Sequence, residues 1–308
     1  MHTHSLDPWQ HPHDFAVIQE HGEKRTRQVL IITAITMLFE IAAGMAFGSM
    51  ALLADGWHMG THVAAFLITI FAYRFARKHA QNTAFAFGTG KVSVLGGFAS
   101  AIVLILVALI MLVESGQRIL APQPIHFNEA IGVAVLGLLV NIACAFLLQG
   151  HHDHTQGQED DDHHHHDHNL KSAYLHVLAD ALTSVLAIGA LLFGKYLGWN
   201  WLDPLIGIVG AMVICRWAYG LLRETGAILL DGSISTEELA AIKEKIEGTL
   251  DNRIADMHVW KVGPAHYAAI ISIVTHYPQQ IEYYKELLRD FTNLSHLTVE
   301  IHTCAGKP

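Results

Sequence analysis

The sequence predicts a membrane all-α protein of six transmembrane helices, followed by a small α+β domain of order αββαβ. Three observations predict it. Hydrophobic residues make up 52% of the 308 positions and charged residues only 15%, where a soluble domain carries about 25% charged. Six apolar segments each come near the roughly 20 residues that a helical span requires. Beyond about residue 232 the pattern turns polar and alternating, as in a soluble sheet domain.

The segments run approximately over 28–49, 51–74, 92–117, 127–149, 171–197 and 201–222. A tight turn near Ser49 separates the first two and makes them a helical hairpin. Gly198, Trp199 and Asn200 join the fifth to the sixth in the same way, and Pro122 and Pro124 break the chain between the third and fourth. Gly44, Gly48, Gly96 and Gly97 fit close helix packing. Basic residues set the orientation. Lys24, Arg25, Arg27, Arg74, Arg77, Lys78, Lys91, Lys171 and Arg223 fall on one side, against Arg118 and Lys195 on the other. Both termini are therefore expected in the cytoplasm. The domains expected are a His-containing cytoplasmic segment 1–27, a six-span domain 28–231 with a cytoplasmic His/Asp-rich loop 150–169, and a cytoplasmic domain 232–308.

Residues 236–247 of the last domain have helical spacing with acid in the first turn. Residues 255–262 and 267–276 read as strands turned by Gly263 and Pro264, 279–292 as a second helix, and 296–302 as a third strand. That order packs as a three-stranded sheet with two helices on one face.

The formal charge is −9, but Glu159, Asp160, Asp161 and Asp162 concentrate acid in one loop. No basic stripe exists to hold nucleic acid. The 3 cysteines, Cys144, Cys215 and Cys304, are far apart and give neither a disulfide framework nor a CxxC knuckle. The N-terminus lacks the basic-then-apolar order of a secretory signal, so the chain is expected to insert by its own spans. Compact form and tight loops fit a bacterial inner membrane.

The chemistry lies in two pairs. His58 and His62 sit four residues apart in the second span, and His176 and Asp180 repeat the spacing in the fifth. Four residues is about one helical turn, so each pair projects from one face. Imidazole or carboxylate at membrane depth is costly unless it faces a partner or a watery cavity. Together the four can close a tetrahedral shell around one divalent cation, provided that spans two and five are neighbours. The sequence points to metal transport. Asp55 reads as a helix-start residue of span two. Glu40 and Asn141 either line the cavity or bond between helices.

Between spans four and five, the tract at 151–168 interleaves histidine with acid. His151, His152, His154, His163, His164, His165, His166 and His168 suit weak capture of zinc, nickel, cobalt or copper; a merely solvated loop is the alternative. An enzyme is disfavoured, because HisMetGlyThrHis at 58–62 puts Met59 where a zinc protease needs its glutamate base. A membrane metal sensor or storage protein would use the same ligands, and only flux separates it from a carrier. No resident cofactor is expected; Co2+, Ni2+ and Zn2+ are the expected cargo.

Four stretches carry a family resemblance: GlySerMetAlaLeuLeuAlaAspGlyTrpHisMet (48–59), PheGlyThrGlyLysValSerValLeuGlyGly (87–97), HisValLeuAlaAsp (176–180) and LeuLeuAspGlySer (229–233). Together they resemble the cation diffusion facilitator family of divalent-metal exporters, over about 28–302. The resemblance implies six spans, a cytoplasmic αββαβ domain of ferredoxin or metallochaperone type, a homodimer in the lipid bilayer, and exchange of cytoplasmic metal for external protons. It places the transport site on His58, His62, His176 and Asp180. Family members usually have Asp where this chain has His62, and the longer AlaAspGlyTrpHisMetGlyThrHis motif looks like the cobalt- and nickel-exporting DmeF branch. Thr89 stands where an FGHG run often carries a metal-binding His. At the end of the last strand His302 matches a family binuclear site, while Cys304 replaces its carboxylate. A modified regulatory site there and a plain strand end stand as alternatives, with His258, His266, His276 and His296 as candidate partners.

Overall fold

The computed structural model describes residues 23–79, 82, 84–149, 181–263 and 266–304. Its long helices are α1 (Glu23–Phe47), α2 (Met50–His79), α3 (Val92–Leu120), α4 (Phe127–Gln149), α5 (Ala181–Leu197) and α6 (Leu202–Leu229). Among the described residues, α3, α6 and the Phe127–Cys144 stretch of α4 are long and apolar enough to cross a membrane, and Ile31–Phe47 and α5 are shorter apolar helices. The 30-residue α2 is not among the three. It carries Asp55, His58, Thr61 and His62 in its first turns and Arg74, Arg77 and Lys78 in its last.

The described residues fall into two compact units. One comprises those within Gln19–Ile68 and Ala99–Leu222, the other those within Thr69–Phe98 and Arg223–Pro308. In the first unit α2 is the central helix. Met50, Leu53 and Ala54 pack with Leu104, Ala108 and Met111 of α3 and with Ala211, Ile214 and Ala218 of α6. On its other side Leu52 joins Ala43 of α1, Ala130, Val133 and Ala134 of α4, and Leu191 of α5. By contrast α3 leaves Val103, Leu106, Ile110 and Val113 more than half exposed, an apolar surface that suits lipid rather than water.

The α1–α2 turn is fastened from three directions. Gly48 takes φ +72° there, and a Cβ on it would lie 2.8 Å from the Pro124 carbonyl oxygen, so this glycine serves the turn rather than helix packing. Packing is the role of Gly44, where a Cβ would come within 2.9 Å of the Leu53 nitrogen. Arg118 of α3 donates to the Gly48 carbonyl at 2.6 Å. The first N–H groups of a helix have no partners of their own, and at α2 they find Asp203 of α6. Its carboxylate accepts from the Met50 and Ala51 nitrogens at 2.7 and 3.2 Å and from the Ser49 hydroxyl at 2.6 Å.

In the other unit, α7 (Thr236–Glu247) opens on a capping box between Ser235 and Glu238. Next come β1 (Arg253–Lys261), β2 (Tyr267–Thr275), α8 (Ile281–Leu287) and β3 (Leu294–Thr303), the expected αββαβ order. The sheet order is β1-β2-β3, antiparallel between β1 and β2 and parallel between β2 and β3. Alternate residues Ala269, Ile271 and Ile273 of β2 meet Val259, Val299, Ile242 and Ile246 of α7, and Tyr284 of α8 in one core. The second helix is shorter than the expected 279–292. Gln280 makes no capping bond through its side chain, and Leu288 leaves helical geometry at φ −99° and ψ 8°. Its buried side chain anchors the core, and the turns after it bring the chain back for the parallel pairing of β3.

Asp251 closes the start of β1 onto the end of β2. Thr275 donates its hydroxyl to Asp251 at 2.6 Å, and His276 engages the same carboxylate through its ring and its backbone N–H. The Thr275 hydrogen bond, helped by those of His276, holds the Asp251 carboxyl down at about 2. Folding thus favours the anion. Its contribution is complete above the ordinary carboxylate value of about 3.9 and disappears as the pH falls through about 2. In thermal melts of the full chain, Asp251→Asn is expected to lower the Tm at pH 7, with a deficit that narrows below about pH 4. A deficit unchanged at acid pH would remove this assignment.

Candidate metal centre

Helix α2 carries both histidines of the first pair. His58 is 3% exposed, and its ring lies 5.1 Å from that of Trp217 on α6, tilted by 47°. The Thr61 hydroxyl donates to the His58 carbonyl at 2.7 Å. His62 is one turn further along the same helix; its side chain lies outside the described residues. So do His176, Asp180 and the whole tract 151–168 with its eight histidines.

What the structure does give is adjacency. Thr183 of α5, three residues after Asp180, donates its hydroxyl to Asp55 of α2 at 2.9 Å. Leu191 of α5 packs with Leu52 of α2 further along. Helices two and five are thus neighbours where they are described, as a site shared between the two pairs requires.

Asp55 differs from its expected role. It is 2% exposed and faces α5 from within α2, five residues after the helix begins. The helix-start function belongs to Asp203. The sequence shows an acid just before Pro204, at the start of the sixth span, which reads as a cap for its own helix; its service to another helix emerges only from packing. Glu40 of α1 has no exposed surface. Its two carboxylate oxygens and the Asn141 amide nitrogen have no hydrogen-bond partner among the described residues, so neither side chain acts there as an interhelical donor or acceptor through those atoms.

The carboxy-terminal candidates are dispersed. His302 is exposed on β3 opposite Val274, and the Cys304 N–H donates to the Thr275 carbonyl at 3.0 Å. His258 meets Asp256 at 2.9 Å, His266 meets Ser295 at 2.7 Å, and His276 meets Asp251. The His296 ring lies edge-on to Phe87, with centroids 5.4 Å apart. Among the described residues no group of three or more His, Cys, Asp or Glu could hold a metal ion. Thr89, in the loop before α3, is buried, and Lys91 beside it forms an ion pair with Asp231.

A lipid-facing helical domain whose central helix buries a carboxylate and an imidazole defines an integral membrane protein with a polar interior. The chain belongs to the cation efflux family: the profile of the cation efflux transmembrane domain matches residues 28–230. The zinc transporter ZitB of Pectobacterium atrosepticum is 34% identical over 253 residues, covering 82% of this chain and 75% of that protein. ZitB of Escherichia coli is 30% identical over 305 residues, covering 94% and 90%. A cadmium, cobalt and zinc/H(+)-K(+) antiporter of Bacillus subtilis is 27% identical over 294 residues, covering 92% and 91%.

Proposed function

We propose that the protein exports divalent transition-metal cations in exchange for protons by alternating access. The observation that carries this reading is the buried His58 on the central helix of a cation efflux domain, with α5 held alongside through Asp55 and Thr183. His58, His62, His176 and Asp180 form the transport site in this reading. Three imidazoles and one carboxylate neutralise only part of a divalent charge, which favours release over permanent capture. Metal requires these groups deprotonated, so protons compete for them, and an imidazole titrates near about 6.5 in water. An acidic exterior therefore drives metal off the site and returns protons inward. The protein works as a homodimer in a bacterial inner membrane with both termini cytoplasmic, and the histidine tract 151–168 gathers metal on that side.

The cargo follows from two sources. The relatives' names include zinc, and that of the Bacillus antiporter adds cadmium, cobalt and protons. His62 replaces a carboxylate by imidazole, which favours cobalt and nickel over manganese, as in the DmeF branch. Zinc remains a substrate in this reading. The test is flux in proteoliposomes under an imposed pH gradient, comparing cobalt, nickel, zinc and manganese for the wild type and His62→Asp. Gradient-driven cobalt or nickel flux that shifts toward zinc in the variant is expected. Metal binding without flux for any of the four would make the protein a sensor instead.

A further inference from the structure

The four-ligand site leaves one buried acid without a task. Glu40 sits on α1 with no exposed surface, and neither carboxylate oxygen has a hydrogen-bond partner among the described residues. Backbone shapes its surroundings. A Cβ on Gly137 of α4 would overlap Glu40 Oε1, and one on Gly56 of α2 would lie 3.2 Å from the Glu40 Cβ. Its charged neighbour is Asp55 of α2, which accepts the Thr183 hydroxyl; α4 meets it with the uncharged Gly137.

Both acids lie at similar depth. Glu40 is seven residues from the Phe47 end of α1, about 10 Å, and Asp55 is five residues from the Met50 end of α2, about 8 Å. Two adjacent anions, one of them without a donor among the described residues, are among the costliest arrangements at membrane depth. A proton held on the pair removes that cost, and its departure restores it. An acid poised in this way changes the energy of a conformation when it loads or unloads.

We propose that Glu40 carries one of the exchanged protons, at a site separate from the four metal ligands. This rests on the antiport reading above. A proton from the outer solution forms an O–H bond with the Glu40 carboxylate while the site faces outward. When the site faces the cytoplasm that bond breaks, the proton leaves to cytoplasmic water, and the carboxylate regains its electron pair. Gly137 keeps the space in which the carboxyl group can stand in either state.

The test compares wild type, Glu40→Gln and Glu40→Asp in proteoliposomes, with zinc as the probe. Zinc–zinc exchange at equal pH reports a folded, metal-competent carrier; steady-state zinc accumulation under a pH gradient reports the coupled protons. Each proton lost from the cycle lowers the accumulation ratio about tenfold per imposed pH unit. Glu40→Gln is expected to keep exchange and lose that factor, and Glu40→Asp to regain part of it. Wild-type accumulation by Glu40→Gln overturns the role of Glu40 alone. Loss of exchange together with accumulation makes Glu40 a packing residue and overturns it as well. A wild type that accumulates no zinc under the gradient removes the antiport reading, and the Glu40 proposal with it.

Discussion

His58→Ala is expected to abolish metal flux in proteoliposomes while the protein stays folded. The imidazole is 3% exposed and lies against Trp217, so its removal deletes one donor of the proposed set from the interior of the helical unit. Disturbing even an outer-shell partner of a metal ligand costs about 10–100-fold in affinity or activity, and loss of a ligand itself should exceed that. The gap left lies between Trp217 of α6 and α2, and His58 is not part of the apolar α2–α3–α6 core, so the fold survives. Asp180→Ala, which removes the only carboxylate of the proposed set, should match it. Flux and metal titration on the same purified samples, with size-exclusion profiles as the control for folding, decide the matter. Preserved transport in both variants would remove the four-residue site from consideration.

The second large effect concerns stability. Asp203→Ala is expected to lower the melting temperature of the detergent-solubilised protein by many degrees, followed through tryptophan fluorescence. The Asp203 carboxylate accepts from the Ser49 hydroxyl and from the Met50 and Ala51 nitrogens, and it is 1% exposed. A buried donor left without an acceptor costs about 1–3 kcal/mol. Even partial relaxation therefore leaves a deficit of several kcal/mol. Asp203→Asn should fall between, since an amide keeps one accepting oxygen but turns an NH2 group toward donors. A shift below about 2 °C, worth under 1 kcal/mol in a domain of this size, would mean that the turn holds without Asp203, through contacts such as that of Arg118 with the Gly48 carbonyl.

Local pattern made much of the fold legible. Residues 236–247 form the expected helix, α7, because Ser235, Glu238 and the apolar spacing all specify it locally. The three strands lie within two positions of the expected 255–262, 267–276 and 296–302 at every end, inside the usual latitude of such boundaries. Residues 288–292 keep helical composition, yet α8 stops at Leu287 because the chain must turn to start β3 at Leu294. At the candidate centre, periodicity shows that His58 and His62 share a face of α2, but not what that face meets. The bond from Thr183 to Asp55 and the service of Asp203 to a helix more than 150 residues away are products of packing. A single imidazole at position 62 likewise does not fix a branch: the relatives named above include zinc transporters as well as a cadmium, cobalt and zinc antiporter.

The fastened turn before α2 has a mechanical corollary. With Gly48, Ser49 and Met50 bound by α3 and α6 at once, that end of α2 is a fulcrum. His58 stands eight residues from it, about 12 Å along the axis, and Ile68, the last residue of α2 in the same unit, stands 18 residues from it, about 27 Å. A rotation of this stretch of α2 about the fulcrum would therefore carry Ile68 about twice as far as the first histidine. Within that unit the residues nearest the fastened end, His58 among them, are the ones that such a rotation would displace least.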